Sequence, residues 1–219
     1  MSTTYHHGDL PGALVGAAVE ILDEEGGATD LSLRAVARRA GVSTAAPYRH
    51  FPDRGALISA VAAVGYRELA AALAAACPAP SGPDDLADIA IAYVDFALQR
   101  TGLFRAMFAE PCGTEPERVE AVEAIKGYLT GLIQQTLQGA ADSEDTATAV
   151  WALVHGLAFL HLDGKLDASS PEEVHRRVHA TVKAALGIAP DARVLLYAPT
   201  WRDDRDEIVD FLDLERLAR

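Results

Sequence analysis

Twenty residues, Ser32 to Phe51, limit what this chain can become more tightly than any other stretch: SLRAVARRAGVSTAAPYRHF. Ser32 can cap a short helix whose apolar residues, Leu33, Val36, Ala37 and Ala40, recur at helical spacing. Gly41 suits the left-handed position that ends such a helix, and Ser43 or Thr44 can cap a second one, Ala45 to His50. Two short helices joined by AGVS fit helix-turn-helix geometry, in which the first braces the second in a DNA major groove about 12 Å wide. The small side chains of Ala37 and Ala40 permit a close crossing, and Val42 is placed to fill the space between. Pro47 falls early enough in the second helix that its missing amide hydrogen is expected to cost nothing. As a string alone, the segment also suits an ordinary helical-bundle turn with surface arginines.

Charge favours the first reading. The chain carries 19 Lys and Arg against 32 Asp and Glu, a formal net charge of −13 that argues against a protein coated all over by nucleic acid. Between Leu31 and Arg67, however, stand Arg34, Arg38, Arg39, Arg49, Arg54 and Arg67 against Asp53 alone, a net of +5 that leaves −18 for the remainder. A basic module on an acidic body points one end at phosphates and repels the duplex elsewhere, which sets orientation.

The rest of the pattern predicts an all-α fold, a three-helix helix-turn-helix unit followed by a helical bundle. Half of the 219 residues are hydrophobic and only 6% aromatic, a balance that favours packed helices over a sandwich or barrel. Leu10, Leu14, Ala17, Ala18, Ile21 and Leu22 mark a first helix that stops at Gly26-Gly27, and Asp53 can cap a long one from Arg54 to about Ala76. Beyond a proline-rich stretch, further helices are expected near 84–100, 102–110, 116–138, 143–164 and 171–187. The expected organisation is a DNA-binding unit (1–53), a connecting helix (54–76), a linker (77–83), a regulatory and dimerisation unit (84–188) and an atypical tail (189–219). In that tail the apolar run Val194 to Ala198 reads as a lone strand without a ladder partner, so the segment is expected to be loosely attached or partly disordered.

Cys77 and Cys112 form neither a disulfide framework nor a metal motif, which fits a reducing compartment. The start lacks the apolar core of a signal peptide, and no run is expected to approach the roughly 20 apolar residues that cross a bilayer. A cytoplasmic, nucleoid-associated protein without membrane contact is the expectation.

From Tyr5 to about Ala63 the pattern YHHGDL, GAA and LSLRAVARRAGVSTAAPYRHFPDRGALISAV resembles the TetR family of repressors. Further on, AVWALVHGLAFLHLDG, Ala149 to Gly164, resembles the C-terminal regulatory domain of the subgroup with a Trp-His-Gly-like signature. The resemblance spans roughly residues 5 to 188. It implies a homodimer of about nine helices per chain, a variable effector pocket in the body, and repression at a palindromic double-stranded operator released by a small molecule. Carried over by position, Tyr48 and His50 match residues that clamp phosphates, and Ser43, Thr44 and Ala45 match the leading positions of the recognition helix. Arg54 stands where the family commonly has lysine, and Arg34 adds charge on the first helix of the motif. The chemistry agrees, since a phenol and an imidazole can donate to phosphate oxygens and the methyls of Thr44 and Ala45 can meet a thymine. Tyr48 could instead, or in addition, brace the two helices. His6 and His7 precede the first helix with no acidic or thiol companion, so they read as solvent histidines and not as a metal pair.

In the body, Trp151, His155, Phe159 and Leu162 share one side of a helix, as core, pocket wall or dimer seam, and Gly156 would allow another helix close. The candidate effector residues are Tyr93, Phe96, Phe104, Met107, Phe108, Tyr128, Trp151 and His155, although any helical core would draw on the same inventory. The effector is expected to be apolar or aromatic, with no cofactor and no metal. Neither a Ser-His-Asp context, an HExxH motif nor a phosphate-binding glycine loop is present, so no enzyme is expected. The tail segment VLLYAPTWRDD resembles the opening of the C-terminal domain of glycerophosphotransferases, far too short a piece for a whole transferase, and reads as a fused fragment. The alternative function is a helical protein-interaction module whose helix-turn-helix no longer binds DNA specifically.

Overall fold

The computed structural model describes residues 9–25, 31–109, 115–137 and 142–187. The expected strand at Val194–Ala198, the tail around it, His6, His7, Cys112 and the Gly26-Gly27 stop lie outside the described residues. The described residues hold eight α-helices and no strand: α1 (Leu10–Glu25), α2 (Leu33–Arg39), α3 (Arg54–Ala76), α4 (Pro83–Gln99), α5 (Thr101–Ala109), α6 (Pro116–Thr136), α7 (Ser143–Leu162) and α8 (Pro171–Ala185). A 3-10 turn, Pro47–Arg49, stands between α2 and α3.

Local chemistry sets the helix ends. The Ser32 hydroxyl accepts the Ala35 amide at 3.2 Å and the Asp53 carboxylate accepts that of Ala56 at 2.9 Å, so both predicted caps are made. At the end of α2, Gly41 adopts φ +70°. The Gly41 amide donates to Arg38 O and the Val42 amide to Ala37 O, the paired bonds of a Schellman motif.

The second helix of the motif differs from its expected form. Ala45 to His50 is not an α-helix: the Ala46 amide donates to Ser43 O at 3.0 Å, Arg49 to Ala46 O at 3.2 Å and His50 to Pro47 O at 2.9 Å, all i→i−3 bonds. The reason is Pro47. With Ser43 opening the turn, residue 47 is the first that would return an i→i−4 bond, and proline has no hydrogen to give, so its placement has a cost after all.

The long α3 is the spine. It packs on α1, α4, α5 and α6, and Leu57, Ile58, Val61, Ala62, Leu69 and Leu73 are solvent-inaccessible or nearly so. Contrary to the expectation from sequence, this helix is long and apolar enough to cross a membrane, with mean hydropathy 1.5 over its best window. More than half of that window is buried in the bundle, which makes it a core helix. α4 lies between α7 and α8, pinned to α8 by Lys183 to Asp84 (2.7 Å) and His175 to Asp95 (2.9 Å). One connected apolar core runs from Leu14 and Val36 through α3 to Val178 and Val182.

Two contacts bind the N-terminal helices to the body. The Arg100 guanidinium, at the α4–α5 corner, donates to Asp23 of α1 at 3.1 Å and to Glu68 of α3 at 2.7 Å. Two residues on, Gly102 lies so close to α1 that a Cβ there would overlap the Leu22 carbonyl.

Candidate nucleic-acid interface and aromatic chamber

The turn that follows α2 displays its side chains outward. Ser43, Thr44, Ala45, Tyr48, Arg49 and His50 are all exposed, while Pro47 and Phe51 point into the core and anchor them. Tyr48 is 52% exposed, so it does not serve as a hydrophobic brace between helices. Arg34 and Arg38 are exposed on α2 beside this surface. Among the described residues, Arg34, Arg38 and Arg49 have no acidic partner within ion-pairing distance.

Three of the six arginines counted in the basic module have partners within the chain; Arg67, on α3, lies 3.9 Å from Glu117. Arg39 faces back to α1, where its guanidinium takes both oxygens of Glu24 and approaches Glu20 at 3.5 Å. Arg54 donates its Nε to the Leu31 carbonyl at 2.9 Å, tying the start of α3 to the start of the motif. The basic surface is therefore narrower than the sequence count, and it centres on Arg34, Arg38 and Arg49.

The candidate effector residues gather, with one exception, into a packed aromatic chamber. Tyr93 and Phe104 meet edge to face with centroids 5.7 Å apart, Phe104 lies 5.0 Å from Phe108 and 6.5 Å from Phe96, and His155 lies 4.3 Å from Phe108. Met107 is fully buried beside them. A short hydrogen-bond chain threads the cluster: Trp151 Nε1–H donates to the Tyr93 hydroxyl at 3.1 Å, leaving that hydroxyl to donate to His155 Nδ1, also at 3.1 Å. The ring proton of His155 is then on Nε2. Burial pushes the Tyr93 phenol up from its ordinary pKa and the His155 imidazole down, so both are held neutral.

Tyr128 is the exception. It sits on another face of α6, lining a separate cleft of about 290 Å³ with Cys77, Pro78 and Pro80, and burial raises its pKa as well. Phe159, which the i, i+4 spacing from His155 places on the same side of α7 as a possible pocket wall, joins the cluster 4.8 Å from His155. Tyr66, 5.6 Å from Phe108, is the member that nothing in the pattern of α3 singled out. Trp151 also lines an open cleft of about 530 Å³ with Leu129, Gln134 and Thr148. The slot that it shares with Tyr93, walled otherwise by aliphatic residues such as Leu73, Ile89 and Val154, holds only about 20 Å³, whereas small-molecule pockets run from roughly 300 to 1,000 Å³. A ligand seated there has to displace side chains or move α6.

Residues 14–61 match the family model "Bacterial regulatory proteins, tetR family", and residues 86–185 match "Tetracyclin repressor-like, C-terminal domain". Residues 165–219 match "CDP-Glycerol:Poly(glycerophosphate) glycerophosphotransferase", overlapping α8 and the tail. Among solved structures, a protein of unknown function from Rhodococcus sp. RHA1 is 36% identical; the match covers 83% of this chain and 97% of that one, with a TM-score of 0.67. A tetR-family regulatory protein from Rhodococcus RHA1 (21% identity, 79% and 95% covered, TM-score 0.58) shares the fold. So does a transcriptional regulator from Rhodococcus sp. Rha1 (23% identity, 81% and 96% covered, TM-score 0.61). No curated protein matches the chain.

Proposed function

Because the chain belongs to the TetR family of bacterial regulatory proteins, we propose that it is an effector-responsive repressor that acts as a homodimer on a palindromic operator. The observation that carries the DNA side of this reading is the exposed turn: a phenol, an imidazole, two hydroxyls and a methyl face solvent beside three arginines that lack acidic partners among the described residues. In this reading Tyr48, His50 and Arg34 hold phosphates, Ser43, Thr44 and Ala45 approach base edges, and Arg54 acts mainly by holding the motif in place. Residues 1–53 then read DNA, 54–76 connect, and 84–188 dimerise and sense. Regulation, with no catalytic step, accounts for all of these features.

So short a reading element touches few bases, and two copies set about 34 to 36 Å apart, or a multiple of that, supply specificity. The seam we assign to α7. Ala149, Ala152, Gly156 and Leu160 are exposed at spacings of three, four and four, and Leu160 is 43% exposed, leaving an apolar stripe of small residues that a second copy can cover. For the effector, the Tyr93–Trp151–His155 chain offers polar handles in an apolar chamber that opens only when side chains move.

The test is fluorescence anisotropy on the upstream intergenic duplex and a scrambled duplex over a salt series, with sedimentation run alongside. The expected result is a dimer with a clear preference for the intergenic duplex. Arg34→Gln, which removes one phosphate contact from each protomer, should reduce the salt slope by about 2 per dimer, whereas Arg39→Gln leaves it unchanged. Equal affinity for both duplexes, or a monomer both free and on DNA, would sink the reading.

A further inference from the structure

The cleft of about 290 Å³ that holds Tyr128 lies between the end of α3, the proline-rich linker and the second half of α6, at the small end of the range for ligand sites. Ala74, Pro78, Pro80, Gly131 and Leu132 line it together with Cys77 and Tyr128. Among the described residues no charged side chain lines it, so it suits an uncharged occupant.

Two groups in this cleft are chemically unspent. The Tyr128 hydroxyl oxygen is buried from solvent and makes no hydrogen bond among the described residues. A buried hydroxyl in that state carries an unmet desolvation cost, which an acceptor seated in the cleft would remove. Burial raises the phenol's pKa, and the Cys77 sulfur stands near enough that a thiolate there raises it further, so the hydroxyl keeps its proton and serves as a donor. The other group is the half-buried Cys77 thiol, which is in no disulfide. A soft nucleophile beside a hydrogen-bond donor, in an uncharged cleft, is what conjugate addition requires: the sulfur for a β carbon, the donor for the oxygen on which negative charge develops.

We propose that Cys77 and Tyr128 form a covalent binding site for small uncharged α,β-unsaturated carbonyl compounds. The Cys77 thiol gives its proton to water, and the thiolate attacks the β carbon. A C–S bond forms as the C=C π bond breaks, and its electron pair moves onto the carbonyl oxygen, which accepts a hydrogen bond from the Tyr128 hydroxyl. The α carbon then takes a proton from water, so the sum is S–H added across the double bond, with no oxidant or reductant. Tyr128, left out of the aromatic chamber, thereby gains a separate role. The site stands whether or not the chain represses transcription, since its test needs no DNA.

The chain has two cysteines, so the test uses the full chain carrying Cys112→Ser, with adduct formation followed by intact-mass spectrometry. N-ethylmaleimide reacts by conjugate addition, whereas iodoacetamide reacts by displacement and places its developing charge on iodide. The ratio of the two rates at Cys77 should exceed the same ratio for glutathione by at least about tenfold. Tyr128→Phe should bring that ratio down to glutathione's while leaving the iodoacetamide rate unchanged. It should not lower the melting temperature, because the hydroxyl that it removes has no hydrogen bond to lose. Gly131 lines the cleft, and a Cβ there meets nothing within 4 Å. Gly131→Leu therefore fills the space without a clash and should slow N-ethylmaleimide about fivefold or more, with an unchanged melting temperature reporting an intact fold. The proposal is overturned by absence of a Cys77 adduct, by a reagent ratio equal to glutathione's, by an undiminished ratio in Tyr128→Phe, or by an undiminished rate in folded Gly131→Leu.

Discussion

At the DNA-facing end Tyr48 holds its phenol in solvent; in the body Tyr93 holds the same group between Trp151 and His155, 2% exposed. The first hydroxyl is left for a partner outside the chain. The second is spent inside it, accepting one hydrogen bond and making another, so that three polar groups can be buried among Phe104, Phe108 and Phe159 without a desolvation penalty left unmet. The contrast teaches that surface for recognition is bought by anchoring its neighbours, here Pro47 and Phe51, while a chamber of aromatic rings is stabilised by tying its own polar atoms together.

The largest expected effect lies where these two regions are joined. Gly102→Val would drive a side chain into the Leu22 backbone, which cannot swing aside as a flexible side chain would. We predict a loss of about 3 kcal/mol and a melting temperature lower by roughly 6 to 12 °C. A melting temperature unchanged in calorimetry would show that the two regions are not held by this contact.

Next comes the buried tyrosine. Tyr93→Phe strands the Trp151 N–H and leaves His155 Nδ1 without its donor, at an expected cost of about 2 kcal/mol of stability. Chemical denaturation should show this loss, while affinity for duplex DNA measured on the folded fraction stays within error. A matching loss of DNA affinity would break the separation drawn between the two tyrosines.

The exposed tyrosine should behave in the opposite way. Tyr48→Phe is predicted to leave the melting curve alone and to weaken every duplex about fivefold, since it removes a phosphate hydrogen bond and no base contact. Thr44→Val should instead reorder operator variants, by about 1 kcal/mol between the best and the next. Sequence preference altered by Tyr48→Phe, with non-specific affinity intact, would reverse the two assignments.

The smallest effect is a pH dependence confined to the chamber. Burial holds the His155 pKa below its ordinary 6.5, so the folded state resists taking up a proton that the unfolded chain accepts. The stability this group allows is present above pH 6.5 and falls as pH drops through that value toward the lower folded pKa. Melting temperatures at pH 7.5 and 5.5 should differ in that direction, and His155→Gln should reduce the difference. An equal pH response in the variant would assign the effect elsewhere.

Much was legible in the chain as a string because it depends on neighbours in sequence. The caps at Ser32 and Asp53, the left-handed Gly41 and the order of helices all follow from interactions spanning five residues or fewer. The net charge of the motif was equally readable, but its effective charge was not: Glu24, fifteen residues earlier, takes Arg39 out of the DNA-facing surface. The 3-10 turn lay between these cases, since Pro47 is visible in the sequence but its effect depends on which residue opens the turn.

By itself, then, the sequence determined that the chain is helical, that it carries a helix-turn-helix with a basic face, and which family it resembles, because helix period, caps and turn chemistry are local. Only the tertiary structure decided that Arg39 and Arg54 brace the motif, that Tyr93 and Trp151 share a slot of only about 20 Å³, that Tyr128 stands apart, and that α1, α3 and α6 leave a larger cleft open. The physical reason is one of range. A hydrogen bond between residues three or four apart is available as soon as the helix forms, whereas the partner of a guanidinium or the volume between three helices exists only after segments far apart in the chain have packed.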